Sequence, residues 1–223
     1  MGCVLFANST SLMGLFLGRI LIGTGSSFAF VGISHLIRQY FPVKRFAFMI
    51  GLSETLGFLA TALGIIGLGQ WIAHWGWRVF MDGAAVVGVV IAILCRIYIP
   101  SATPSAHHQH YKKHLLTIFL HPLLWVNGLF VGLGFSVVTV FGALWAVPFI
   151  QLKLHCDLYI AGLLVAIFFI GAGISCPLFG ILSQSVKQRK HLILCSCLST
   201  AGLFFILLFY NTHSTALVAS LLI

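Results

Sequence analysis

Acidic residues are almost missing from this chain, which holds three Asp and Glu together among 223 residues and has only 7% of its positions charged. An ordinary soluble domain is roughly 25% charged, so a water-covered surface of the usual kind is excluded. Alternating polarity over segments of about ten residues, the mark of a membrane β-barrel, is also missing; the stretch from Ile160 to Ile174 is apolar throughout. The six cysteines (Cys3, Cys95, Cys156, Cys176, Cys195 and Cys197) include no CxxC pair. All but Cys156 lie in or at the ends of apolar runs, where cysteine behaves as a small hydrophobe, so no disulfide framework is expected. The chain starts Met1-Gly2-Cys3-Val4 with no basic stretch ahead of its first apolar run, which argues against a cleavable signal peptide. Phe6 stands where N-myristoylation needs Ser or Thr.

What is present is 60% hydrophobic residues, gathered into runs of about 20 or more, the length that crosses ~30 Å of hydrocarbon at 1.5 Å per residue. The runs fall at 2–12, 13–37, 46–73, 79–99, 119–150, 158–182 and 191–210, with an eighth starting at 214. This predicts an all-α, polytopic bundle of membrane-spanning helices. The first and last runs, at about 11 and 9 residues, reach only ~16 and ~13 Å as helix, so both ends of the bundle read as incomplete.

The formal charge of +9 does not point to nucleic acid, because the basic residues cluster between apolar runs. Arg38, Lys44, Arg45, Arg96, Lys112, Lys113, Lys187, Arg189 and Lys190 fall on every second connection. Arg78 and Lys153 fall on the others, and Arg19 lies inside a run. Positive charge marks the cytoplasmic side, so the segment 100–118 is expected in the cytoplasm, in a multi-pass protein of an inner or plasma membrane. That segment is the one polar linker, rich in Pro, Ser and His, and it divides the chain into helical groups at 1–99 and 119–223. Its histidines His107, His108, His110 and His114 are metal-ligand types, but a flexible linker lacks the supporting partners that fix ligand geometry. A solvated linker is the simpler reading, and no metal or other cofactor is expected.

Gly18-Arg19-Ile20-Leu21-Ile22-Gly23-Thr24-Gly25 resembles the RxxxGxG signature on the fourth helix of the major facilitator superfamily. Phe41-Pro42-Val43-Lys44-Arg45-Phe46-Ala47 is similar to the family's four-to-five loop, and a glycine-rich helix follows, closing in Trp75-Gly76-Trp77-Arg78. On this resemblance the runs correspond to part of helix three through part of helix ten. Residues 1–99 are then the remainder of an N-terminal bundle, and 119–223 the start of a C-terminal one. The segment from Gly51 to Gly69 resembles the antiporter glycine motif, but Ala60, Ile65 and Leu68 replace its glycine, proline and glycine. This departs from drug/proton antiport and favours a uniporter or symporter. The segment Gly180 to Lys190 is similar to the family's gating motif through Gly180, Arg189 and Lys190, with Gln184 in place of the usual aspartate and Lys187 in place of a glycine.

Charges inside spans need a partner, a wet cavity or a function. The resemblance implies a role near substrate or proton for Arg19; the alternative is an arginine that caps carbonyls or snorkels outward. Glu54 is the acid deepest in a span, either a protonatable coupling group or a hydrogen-bonded structural glutamate. Arg78 and Asp82 are spaced for an i,i+4 pair. Gly14 and Gly18, Ala60 and Gly64, and Gly128 and Gly132 have the spacing that lets helices pack closely. The resemblance puts Asn127, Ser136 and Thr139 on a helix lining the pathway, although Ser and Thr in such helices commonly bond their own backbone. No matched-depth catalytic pair occurs in the spans, so an enzyme is not expected. The expectation is transport of a small organic solute by alternating access, possible proton coupling included; the alternative is an inactive fragment without a complete pathway. The expected partners are the solute and the lipid bilayer, with no nucleic acid; oligomeric state is left open.

Overall fold

The structure, a computed structural model, describes residues 1–99, 117, 119–186 and 189–209, and every regular element among the described residues is helical. A short α1 (Gly2–Asn8) is followed by α2 (Leu12–Tyr40). A 3-10 turn (Val43–Arg45) then leads into α3 (Phe46–Tyr98). Beyond it come α4 (Pro122–Ser136), a π-helical stretch (Val137–Trp145) and α5 (Ala146–Leu154). The last two are α6 (Leu158–Ser185) and α7 (Arg189–Phe209).

Six stretches are long and apolar enough to cross a membrane: Leu12–Tyr40, Val43–Gly69, His74–Tyr98, Pro122–Leu154, Leu158–Ser185 and Lys190–Phe209. They correspond to six of the apolar runs. The expected loop between the runs at 46–73 and 79–99 shrinks to a single residue, since Gly76 alone leaves helical geometry, with φ 78° and ψ 154°. Only a residue without Cβ takes that conformation cheaply. The histidine-rich linker, apart from Thr117, lies outside the described residues, as do Lys187, Gln188 and the run from 214.

Two compact units are found, one made of Met1–Val86 with the chain from Ala146, the other of Val87–Trp145. In the first unit, α1 and α2 form an antiparallel hairpin. The Ser11 hydroxyl caps α2 by accepting from the Gly14 amide at 3.2 Å. A Cβ at Gly18 would stand 2.9 Å from the Phe6 Cα, and one at Gly2 would stand 2.8 Å from the Ile22 amide nitrogen. Gly18 of the expected close-packing pair therefore does serve backbone approach.

The second seam of this unit joins the first half of α3 to α6, again antiparallel. A Cβ at Gly51 would lie 2.7 Å from the Cys176 carbonyl oxygen, and one at Gly180 would lie 2.8 Å from that of Ala47. Further along, Phe58 meets Phe169 with ring centroids 6.1 Å apart, and Ala62, Ala161, Val165 and Ala166 are buried. In lipid, such close approach brings dispersion and polar contacts that apolar side chains facing the bilayer do not supply. In the second unit, Pro122 opens α4, where its missing N–H costs nothing. The Trp125 indole donates to the Phe119 carbonyl at 2.7 Å.

Gly51→Leu or Gly180→Leu is expected to lower stability by about 1–3 kcal/mol or more through overpacking. Gly67→Leu, where an added Cβ meets nothing within 4 Å, is expected to melt with the native protein. Thermal unfolding in detergent, followed by size-exclusion chromatography, checks both.

Candidate functional site

Proline inside a helix cannot donate to the carbonyl four residues earlier. Pro177 lies inside α6 and so leaves the carbonyl of Gly173 without its helical donor. In hydrocarbon no water takes that place. The Thr55 hydroxyl does, standing 2.7 Å from the Gly173 oxygen and 2.9 Å from the Gly51 oxygen of its own helix. Gly51 permits the approach, because a side chain there would collide with Cys176 and Pro177.

Glu54 precedes Thr55 and is half-buried beside this seam. The Cys176 thiol lies within reach of its charge. Glu54 is thus held at a helix-helix contact where the carbonyls of Gly51 and Gly173 are met by Thr55.

Arg19 has an aromatic partner. Its guanidinium carbon sits 5.3 Å from the centroid of the Phe6 ring. A charge at mid-bilayer costs about 2.5–3.5 kcal/mol on insertion scales. A cation over a ring gains ~0.5–1 kcal/mol at a wet site and ~2 kcal/mol when desolvated, so Phe6 stabilises the charge where it sits. Phe6 in turn meets Trp77 edge-on, with centroids 5.8 Å apart at 66°, and the Arg78 guanidinium lies 4.7 Å from the Trp77 ring. Arg78 and Asp82, expected as a pair along one helix, each reach across to α1. Arg78 Nε donates to the Ala7 carbonyl at 3.1 Å, and Asp82 accepts from the Asn8 amide at 3.3 Å.

Asn127, Ser136 and Thr139 belong to the second unit. Asn127 and Thr139 are exposed and Ser136 is half-buried. The hydroxyls donate to backbone of their own helix, Ser136 to Leu133 at 2.6 Å and Thr139 to Phe135 at 3.1 Å. Each hydroxyl keeps acceptor capacity for a ligand. The nine-residue π-helical stretch starting at Val137 contains Thr139; such widened turns are rare and concentrate at functional sites.

Of the loop motif, Gly180 is buried against Ala47, and its carbonyl accepts from Ser183 at 2.9 Å and from the Gln184 amide at 3.3 Å. Gln184 therefore bonds within its own helix. Lys190 is exposed, and the side chain of Arg189 lies outside the described residues. Sequence reasoning missed Phe6, Trp77, Thr55 and Cys176. For Thr55 the bond to Gly51 of its own helix was legible from the spacing of hydroxyl and carbonyl, whereas its partner on the proline-bearing helix was not.

Six apolar spans, charges held inside them and seams packed at backbone level define a polytopic helical membrane protein. A family model for the Major Facilitator Superfamily matches residues 1–223, and the chain belongs to that superfamily. It is 33% identical over 108 residues to a sugar transport protein, MST3, of Oryza sativa, and 30% identical over 122 residues to sugar carrier protein C of Ricinus communis. It is also 25% identical over 127 residues to an MFS-type efflux pump, elcC, of Phaeosphaeria nodorum. The matches take in 47%, 51% and 55% of this chain and 20%, 23% and 23% of the relatives. The chain thus spans about a quarter or less of those proteins. No solved structure matches it.

Thr55→Val, which keeps the shape and removes the donor, is expected to cost about 1–3 kcal/mol by leaving the Gly173 carbonyl unsatisfied. Adding Pro177→Ala returns an N–H to that carbonyl and is expected to shrink the penalty of Thr55→Val. A double-mutant cycle on thermal stability measures this coupling.

Proposed function

We propose that this protein is a secondary transporter that moves a small organic solute across an inner or plasma membrane by alternating access between two helical bundles. The observation that carries the reading is the superfamily match along residues 1–223. The bundles are 1–99 and 119–223, with 100–118 as a cytoplasmic linker. Support for that sidedness comes from the antiparallel seam in which Ala47 abuts Gly180: it sets the end bearing Lys44 and Arg45 beside the end that leads to Arg189 and Lys190.

The solute is polar and sugar-like rather than a lipophilic drug. Two relatives are named for sugars, and the antiporter glycine motif is broken at Ala60, Ile65 and Leu68. Glu54 is the coupling acid in this reading, and Arg19 acts near the substrate or proton route. Asn127, Ser136 and Thr139 supply hydrogen-bond groups to the solute. Gly180, Arg189 and Lys190 belong to the loop that gates the pathway.

Reconstituted into liposomes, the protein is expected to take up a labelled sugar in a saturable way and to accumulate it under an inward proton gradient. Glu54→Gln is expected to abolish accumulation while leaving solute exchange, the signature of a lost proton site. Uptake that never saturates across a panel of sugars and organic acids retires the reading. Impermeant maleimide is expected to label Cys156 from the outer face and cysteines placed at 100–118 from the inner face; the reverse pattern overturns the orientation.

A further inference from the structure

We propose that Phe6 is a positioning residue for Arg19, holding the guanidinium through its ring face, and that Trp77 holds Phe6 in turn. The inference rests on the reading of Arg19 as a pathway residue and says how that arginine is aimed.

The contacts run as a series, from the Arg19 guanidinium to the Phe6 ring at 5.3 Å, from Phe6 to the Trp77 ring at 5.8 Å, and from Trp77 to the Arg78 guanidinium at 4.7 Å. Two cations thus bracket two rings. The series is tied down at both ends. At one, a Cβ on Gly18, beside Arg19, would lie 2.9 Å from the Phe6 Cα, so α2 and α1 touch at backbone level where the stack begins. At the other, Arg78 Nε donates to the Ala7 carbonyl and Asp82 accepts from Asn8, the two residues that follow Phe6.

The chemistry of the choice follows from the scarcity of acids. Asp82, engaged with Asn8, is the carboxylate built into this cluster. A carboxylate on Arg19 would form a bidentate pair, fixing the guanidinium, neutralising its charge and occupying two of its donors. A ring face attracts the cation without accepting a carboxylate-type bidentate pair, so N–H donors stay available for a ligand oxygen. Arg19 is exposed, so the described residues leave its guanidinium uncovered on the side away from Phe6. Phe6 therefore sets where Arg19 points without competing for what it binds.

The test replaces Phe6 with mono-, di- and trifluorophenylalanine, which keep the ring's shape while draining the electron density of its face. The rate at which phenylglyoxal modifies Arg19 is then read by peptide mass spectrometry on the liposome-reconstituted protein. Each added fluorine is expected to raise that rate, reaching about two- to fivefold over native in the trifluoro form. Phe6→Leu is expected to match the trifluoro form and Phe6→Tyr to match native. A rate that does not change across the fluorinated series overturns the proposal, since the ring then holds nothing. The modification readout does not depend on transport, so a protein that fails to take up solute still reports on Phe6. Where uptake is measurable, Phe6→Leu is expected to raise KM severalfold with kcat nearly unchanged; a fall in kcat alone overturns the positioning role.

Discussion

A backbone carbonyl left without a donor has no solvent to fall back on in hydrocarbon, and much of the larger unit is arranged around one such group. Pro177 frees the carbonyl of Gly173, and satisfying it requires a hydroxyl from another helix. That requirement sets Thr55 opposite Gly173. The resulting separation then demands glycine at 51 and 180, because any larger residue would press on the facing backbone. The register of Phe58 on Phe169 and the burial of Ala62, Ala161 and Val165 follow along the same seam. A proline that weakens one helix thus specifies its partner, an economy available where interior polar groups are few and every unmade bond is costly.

The other charged cluster is solved differently. With three acids in the whole chain, most of its cations have no carboxylate available, and the structure turns to aromatic rings. Arg19 uses Phe6, Arg78 uses Trp77, and Lys153 lies 5.5 Å from the Phe149 ring. Lys153 also donates to the carbonyl of Leu207 in α7. Rings and backbone oxygens together stand in for the missing acids. A ring attracts a cation without accepting a conventional hydrogen bond from it, and Arg78 spends one of its donors on the Ala7 carbonyl.

How much of this was legible beforehand follows from the range of each interaction. Run length alone gave the six spans, because crossing a bilayer is a local requirement on about 20 residues. Gly18 was readable as a close-packing position from spacing alone. The Thr55–Gly173 bond joins residues 118 apart, and no periodicity within either helix reveals the register that unites them. The stack under Arg19 depended on the turn of the α1–α2 hairpin, which brings Phe6 to Gly18, and on the joint at Gly76, where a full loop was expected and a single residue suffices. For Ser136 and Thr139 the local rule was informative, since both hydroxyls bond within their own helix. What either residue meets beyond its own helix lies outside any local rule.

The length of α6 bears on the membrane itself. Its 28 residues amount to ~42 Å of helix at 1.5 Å per residue, against ~30 Å of hydrocarbon. A helix this long must lean steeply or stand proud of the apolar layer at its ends. Its tilt is constrained by the glycine seam with α3, so a change in tilt is transmitted to Thr55 and to Glu54 beside it. Because Gly51 and Gly180 pack α3 and α6 at backbone level, the two helices share their inclination, so the fit of one to the bilayer is also the fit of the other.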